Sequence, residues 1–139
     1  FKTNYYFTKT PSINEIQKGI NLYLEFIKKI CSKFKLNEKD IRFKIHPMAG
    51  EYLLKSIENS DLGKYMLKKE PNDLPLELTF YNFKNLKTCF AIASSSLIFL
   101  DDLYQIEQYF IKTREYISEP NYKIINKLIK TNQVNYVNF

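Results

Sequence analysis

Histidine occurs once, cysteine twice, glycine three times and tryptophan not at all in this chain of 139 residues. A single histidine excludes a zinc site of ordinary ligand spacing and any His-rich catalytic cluster. Cys31 and Cys89 form no CxxC pair. Both read as buried thiols of a reducing compartment, not as a disulfide framework. With so few glycines there is no GxGxxG turn and no GxxxxGK[ST] loop, so the usual dinucleotide and phosphate-loop fingerprints are missing. No Ser-x-Gly nucleophile elbow is present. Asp101-Asp102 is an acidic doublet suited to a helix boundary, not a glycosidase carboxylate pair. No apolar run approaches the roughly 20 residues of a membrane-spanning helix. The start, Phe1-Lys2-Thr3-Asn4, is polar and basic, unlike a signal peptide, and lacks Met, as expected of a processed or excised piece.

What is present suits a globular domain. Hydrophobic residues make up 45% and aromatics 16% of the chain, enough for a core and too many for disorder. The length predicts a single domain over 1–139, with 118–139 as a C-terminal helix and tail. Net charge is +6 and uneven: residues 1–69 hold 14 Lys or Arg against 7 Asp or Glu, and residues 70–139 hold 7 against 8. A basic first half suits a phosphate-bearing ligand, an anionic membrane or nucleic acid, and equally a solvated surface. Phe, Tyr, Asn, Lys and Ile make up about half the chain, the composition an AT-rich genome encodes.

Along the chain, periodicity predicts alternating strands and helices. Residues 3–8 are aromatic and β-prone. Ser12 and Glu15 have capping-box spacing, and apolar residues from Ile13 to Ile30 recur at helical period, predicting a helix over 13–34. Ile41-Arg42-Phe43-Lys44-Ile45 alternates as a strand and stops at His46-Pro47. A helix follows Gly50, from Glu51 to about Asn59. Lys64 to Lys68 reads as a short strand, and Pro75 opens a short helix. Residues 88–93 read as a strand buried on both faces, ending at Ser94-Ser95-Ser96. Leu103 to Ile117 and Asn121 to Lys130 read as helices, and the rest as a polar tail.

This alternation predicts an α/β layered domain with a parallel sheet. Right-handed crossovers place the strand C-termini on one edge, where ligands of such sheets bind. That edge carries Thr8-Lys9-Thr10, His46-Pro47 and Ser94-Ser95-Ser96. His46 suits a phosphate contact or a proton donor to a leaving group. The serines offer hydroxyls and helix-terminal N–H groups to an anion. Glu77 suits ribose hydroxyls. Each residue also has a plainer reading: surface histidine, helix N-caps, exposed helix face. The spread aromatics read as core, not as base-stacking platforms.

In order, Ile41-Arg42-Phe43-Lys44-Ile45-His46-Pro47, Pro75-Leu76-Glu77-Leu78 and Ala93-Ser94-Ser95-Ser96-Leu97 resemble the C-terminal, nucleotide-binding half of bacterial GT-B-type sialyltransferases, a group that includes lipooligosaccharide sialyltransferases and capsule polysialyltransferases. Tyr6-Phe7-Thr8-Lys9-Thr10-Pro11 resembles the first strand and turn of that half, so the likeness covers roughly residues 3–105. The resemblance implies a Rossmann-like fold and inverting transfer of sialic acid from CMP-sialic acid to a glycan hydroxyl. His46 would contact the CMP phosphate and act as general acid, with Pro47 beside it. Glu77 would hold the ribose, and two of Ser94, Ser95 and Ser96 the phosphate, Ser95 in either alignment. It implies no metal or cofactor and no nucleic acid. The partners would be the CMP-sugar donor, a lipooligosaccharide or capsule oligosaccharide acceptor, and an N-terminal half supplying the acidic general base, which this chain lacks. Met48-Ala49-Gly50 follows Pro47 where relatives carry an Arg. The location implied is the bacterial cytoplasm, with the basic first half able to rest on an anionic inner membrane. Two alternatives stand beside it. One is a non-catalytic basic α/β interaction domain. The other is a transhydrogenase-like NADP-binding domain, which Ile45-His46-Pro47-Met48-Ala49-Gly50 also resembles, although that domain needs a glycine-rich first turn and residues 5–10 contain no glycine.

Overall fold

The computed structural model describes residues 11–46, 49–67, 85–92, 106–113, 119–131 and 133–138. These belong to a mixed α/β fold of helices and a small parallel sheet. The chain divides into two compact units, Tyr5–Leu74 and Pro75–Phe139, the second together with Phe1–Asn4.

The first unit is built on helix α1, Ile13–Phe34. Its start is set locally: Glu15 N–H donates to Ser12 Oγ at 3.3 Å, and Ser12 N–H donates to the Glu15 carboxylate at 2.8 Å. The expected capping box is therefore formed. Ile16, Ile20, Phe26, Ile27 and Ile30 make the buried stripe. The helix ends at Lys35, which takes a left-handed conformation (φ 53°), and Leu36 N–H closes on the Cys31 carbonyl at 3.0 Å. A short 3-10 helix, Glu38–Asp40, follows.

Helix α2, Glu51–Glu58, buries Leu53 and Ile57, and a second 3-10 helix, Asp61–Tyr65, buries Leu62, Gly63 and Tyr65. Ile57 and Leu62 are both 0% exposed, the most deeply buried of the described residues in this unit. Gly63 lies against the C-terminal end of α2, where a Cβ would meet the Glu58 and Ile57 backbone. Among the described residues, the expected strands at 41–45 and 64–68 reduce to one parallel bridge, Phe43 with Met66. Phe43 N–H donates to the Tyr65 carbonyl at 2.8 Å and Leu67 N–H to the Phe43 carbonyl at 3.3 Å. Residues 61–65 coil because Ser60 caps them and Gly63 and Met66 N–H groups turn back on Ser60 and Gly63. The Tyr23 ring packs edge-on against Phe43 at 5.0 Å, joining α1 to the bridge.

In the second unit three strands, β1 (Thr88–Ala91), β2 (Glu107–Lys112) and β3 (Asn135–Asn138), pair in parallel in that order. The register sets Cys89 beside Gln108, Ala91 beside Phe110, and Ile111 beside Val137. Two sequence expectations are corrected here. Leu103 to Ile117 is not a helix throughout, since Glu107–Lys112 is the central strand. Nor is the tail irregular, since Asn135–Asn138 is a strand. Burial alternates through Ile106, Gln108 and Phe110, but the inward Gln108 is polar and Ile111 is buried as well, so the sequence pattern does not alternate. The apolar spacing that remains imitates a helix. Helix α3, Glu119–Lys130, supplies the crossover that parallel β2 and β3 require. Pro120 sits in its first turn, where no N–H is needed, so it starts the helix instead of breaking it.

Candidate functional site

His46 lies three residues past the short parallel pairing at Phe43 and is exposed. The Ala49 N–H donates to the His46 carbonyl at 2.9 Å, folding the chain back, and Gly50 then serves as the N-cap of α2. Gly50 brings no capping side chain, so no side-chain cap closes the start of α2. The bridge-turn-helix order therefore sets a histidine ahead of a helix N-terminus, the positive end of its dipole.

The electrostatics match that placement. Partial desolvation lowers the His46 pKa below its ordinary 6.5, and repulsion from Lys44 lowers it further. The Lys44 ammonium nitrogen is shielded from solvent. Both effects favour the neutral ring over the imidazolium. An arriving phosphate dianion reverses the balance: it attracts Lys44, favours the imidazolium, and accepts from it a hydrogen bond stronger than a neutral donor gives.

Pro47, Glu77, Ser94, Ser95 and Ser96 lie outside the described residues, as do Thr8-Lys9-Thr10. What is described next to the serines is β1, which runs to Ala91 with buried Ile92 beyond it. By sequence, His46 falls in the unit Tyr5–Leu74, and Glu77 and the serines in the unit that begins at Pro75.

Sequence reasoning missed two features. Glu38 accepts hydrogen bonds from the Tyr65 hydroxyl and, at 3.0 Å, from Lys64 Nζ. These bonds hold the Glu38 carboxyl below the usual carboxylate range, and burial with the Glu38 contact pushes the Tyr65 hydroxyl up. This tie joins the two 3-10 helices; residues 27 apart in sequence carry no local signal of it. The second is a face of α3 that carries Tyr122, Asn126 and the exposed lysines 123, 127 and 130. Its signal was visible, because those lysine positions share one helix face.

Among the described residues no group of His, Cys, Asp and Glu is placed to hold a metal. Cys31 is half-buried and Cys89 buried, and both thiols are free. Burial pushes Cys89 up to about 11. No described helix is long and apolar enough to cross a membrane. No family model, curated protein or solved structure matches the chain.

Proposed function

We propose that this chain is the CMP-sialic-acid-binding half of a bacterial sialyltransferase, with the Rossmann-like fold of a GT-B C-terminal half. The reading rests on the ordered resemblance at His46-Pro47, Glu77 and Ser94-Ser95-Ser96. The observation that carries it furthest is the position of His46, exposed between a parallel-paired segment and the N-terminus of α2. Three sequential parallel strands with an α-helical crossover also suit one half of a doubly wound sheet.

The chemistry follows from those roles. In the donor, the bond between the anomeric carbon of sialic acid and a phosphate oxygen breaks. The acceptor hydroxyl oxygen bonds to the opposite face of that carbon, and its proton passes to a carboxylate of the N-terminal half. His46 gives its proton to the departing phosphate, where negative charge builds in the transition state. The serines hold that phosphate, Glu77 holds the ribose, and no metal is needed. The chain by itself binds the nucleotide and does not transfer sugar. The full enzyme works in the bacterial cytoplasm on a lipooligosaccharide or capsule oligosaccharide.

Calorimetric titration with CMP and with cytidine tests this. CMP binds saturably, and cytidine, lacking the phosphate, far more weakly. His46→Ala weakens CMP at least about tenfold, the value of one charge-assisted hydrogen bond. Equal binding of CMP and cytidine, or an unchanged His46→Ala affinity, refutes it.

A further inference from the structure

We infer that Tyr65 is the positioning residue of the candidate site: it fixes where His46 stands by holding the chain that leads to His46 at two points. The first is its backbone. The Tyr65 carbonyl accepts from Phe43 N–H at 2.8 Å, and Leu67 N–H donates to the Phe43 carbonyl at 3.3 Å. The second is its side chain. The Tyr65 hydroxyl donates to the Glu38 carboxylate, at the start of the same stretch, and Lys64 Nζ donates to the same oxygen at 3.0 Å. The chain between these points is curled on itself, with Arg42 Nη1 donating to the carbonyls of Lys39 at 2.6 Å and Ile41 at 2.8 Å. Beyond Phe43, Ile45 is 4% exposed and anchors the last residue before His46.

Two holding points decide direction, where one leaves a hinge. Held at Phe43 alone, the segment swings about the bridge. Three residues of extended chain reach about 10 Å, so a tilt of about 10° carries His46 by roughly 2 Å. A hydrogen bond lengthened by about 1 Å is no longer one, so a phosphate contact made by His46 needs that direction fixed. Tyr65 can fix it because its body is buried, 5% exposed, while its hydroxyl reaches a carboxylate at the surface. The two groups keep the protonation states the tie needs. Hydrogen bonds from Tyr65 and Lys64 hold the Glu38 carboxyl below the usual carboxylate range, and burial, then the Glu38 contact, keeps the phenol protonated. Neither residue is among the charges that shift His46, whose lowered pKa comes from desolvation and Lys44. What Tyr65 controls is therefore place, not field. The geometry stands on its own; its weight for phosphate binding rests on the donor-site reading.

The test uses the whole chain, in which His46 is the one histidine, so its ring resonances are read directly by NMR. Tyr65→Phe keeps the buried ring, removes the hydroxyl and changes no charge. Its far-UV circular dichroism matches wild type. Its Phe43 amide exchanges about fivefold faster, the net value of one hydrogen bond. Its His46 midpoint moves up toward 6.5, because the loosened segment is better solvated. Its Kd for CMP rises at least about fivefold. Glu38→Ala does the same. Glu38→Gln, which keeps an acceptor oxygen for the hydroxyl, leaves the midpoint near wild type. The double variant Tyr65→Phe, Glu38→Ala moves it no further than either single variant, because both break one tie. A His46 midpoint unchanged in Tyr65→Phe, additive shifts in the double variant, or a moved midpoint with unchanged CMP affinity overturns the inference. Wild type that binds no CMP, with the midpoint moved in Tyr65→Phe, refutes the donor-site reading alone. CMP bound equally by wild type and Tyr65→Phe, at an unchanged midpoint, refutes the positioning role alone.

Discussion

Replacing Gly63 with alanine destabilises the first unit by about 3 kcal/mol. The added Cβ would stand 2.8 Å from the Glu58 carbonyl carbon and 2.9 Å from the Ile57 carbonyl oxygen, and closer still to the Glu58 oxygen. Comfortable contacts of this kind lie at about 3.5 Å or more, so one backbone must withdraw by roughly 1 Å. Neither yields easily. Glu58 ends α2, which is anchored by Ile57 at 0% exposure; Gly63 belongs to the 3-10 helix that buries Leu62, also at 0%. Overpacking a core costs about 1–3 kcal/mol, and a collision of backbone with backbone belongs at the upper end. For a unit of this size that shift lowers the thermal midpoint by more than about 10 °C. Urea unfolding followed by far-UV circular dichroism measures it, and amide exchange at Leu62 and Met66 localises it. Gly50→Ala is the control: its Cβ meets nothing within 4 Å, and it changes stability by less than about 1 kcal/mol. A Gly63→Ala cost under about 0.5 kcal/mol, or an equal cost at Gly50, refutes the packing described here.

Lys35 pays a steric penalty at φ 53°, so Lys35→Gly stabilises α1 by about 0.5–1 kcal/mol in the same urea assay, and a destabilised variant contradicts that. The His46 imidazole titrates below 6.5 by NMR, and Lys44→Gln moves it back toward 6.5. Because the unfolded chain then binds the proton more readily, the His46 contribution to stability falls as pH drops below about 6.5; a midpoint above 6.5 contradicts the placement. Toward a thiol reagent at pH 8, half-buried Cys31 reacts before Cys89, whose thiol burial pushes up to about 11. Glu38→Gln speeds Cys31 further, since the Glu38 charge helps raise its pKa; Cys89 reacting first contradicts the burial pattern.

Local rules make the helical part of the first unit legible. Ser12 and Glu15 announce the start of α1, its 3.6-residue stripe carries it to Phe34, and Gly50 precedes α2 as expected. Strand β1 is legible from its apolar run. Strand β2 is not, because its inward Gln108 is polar and Ile111 is buried next to Phe110, which leaves the apolar spacing of a helix. Strand β3 is not, because within it Val137 alone is buried and its identity as a strand comes from pairing with β2. The segment 64–68 misleads for a related reason: one bridging residue, Met66, needs no alternating pattern. At the candidate site, the position of His46 after a paired segment is legible, since Pro47 cannot continue a ladder. The Glu38–Tyr65 bond is not, since it depends on how two 3-10 turns meet.

The most direct test of the donor-site reading is an amide NMR titration of the whole chain with CMP. The account predicts that resonances of His46, Glu77 and Ser94 to Ser96 shift together along one saturable isotherm with a common Kd, and that His46→Ala raises that Kd at least about tenfold at the remaining positions. Shifts confined to one of these segments, separate isotherms, or no change at about 10 mM CMP, weaker than any affinity of about 3 kcal/mol, contradict it.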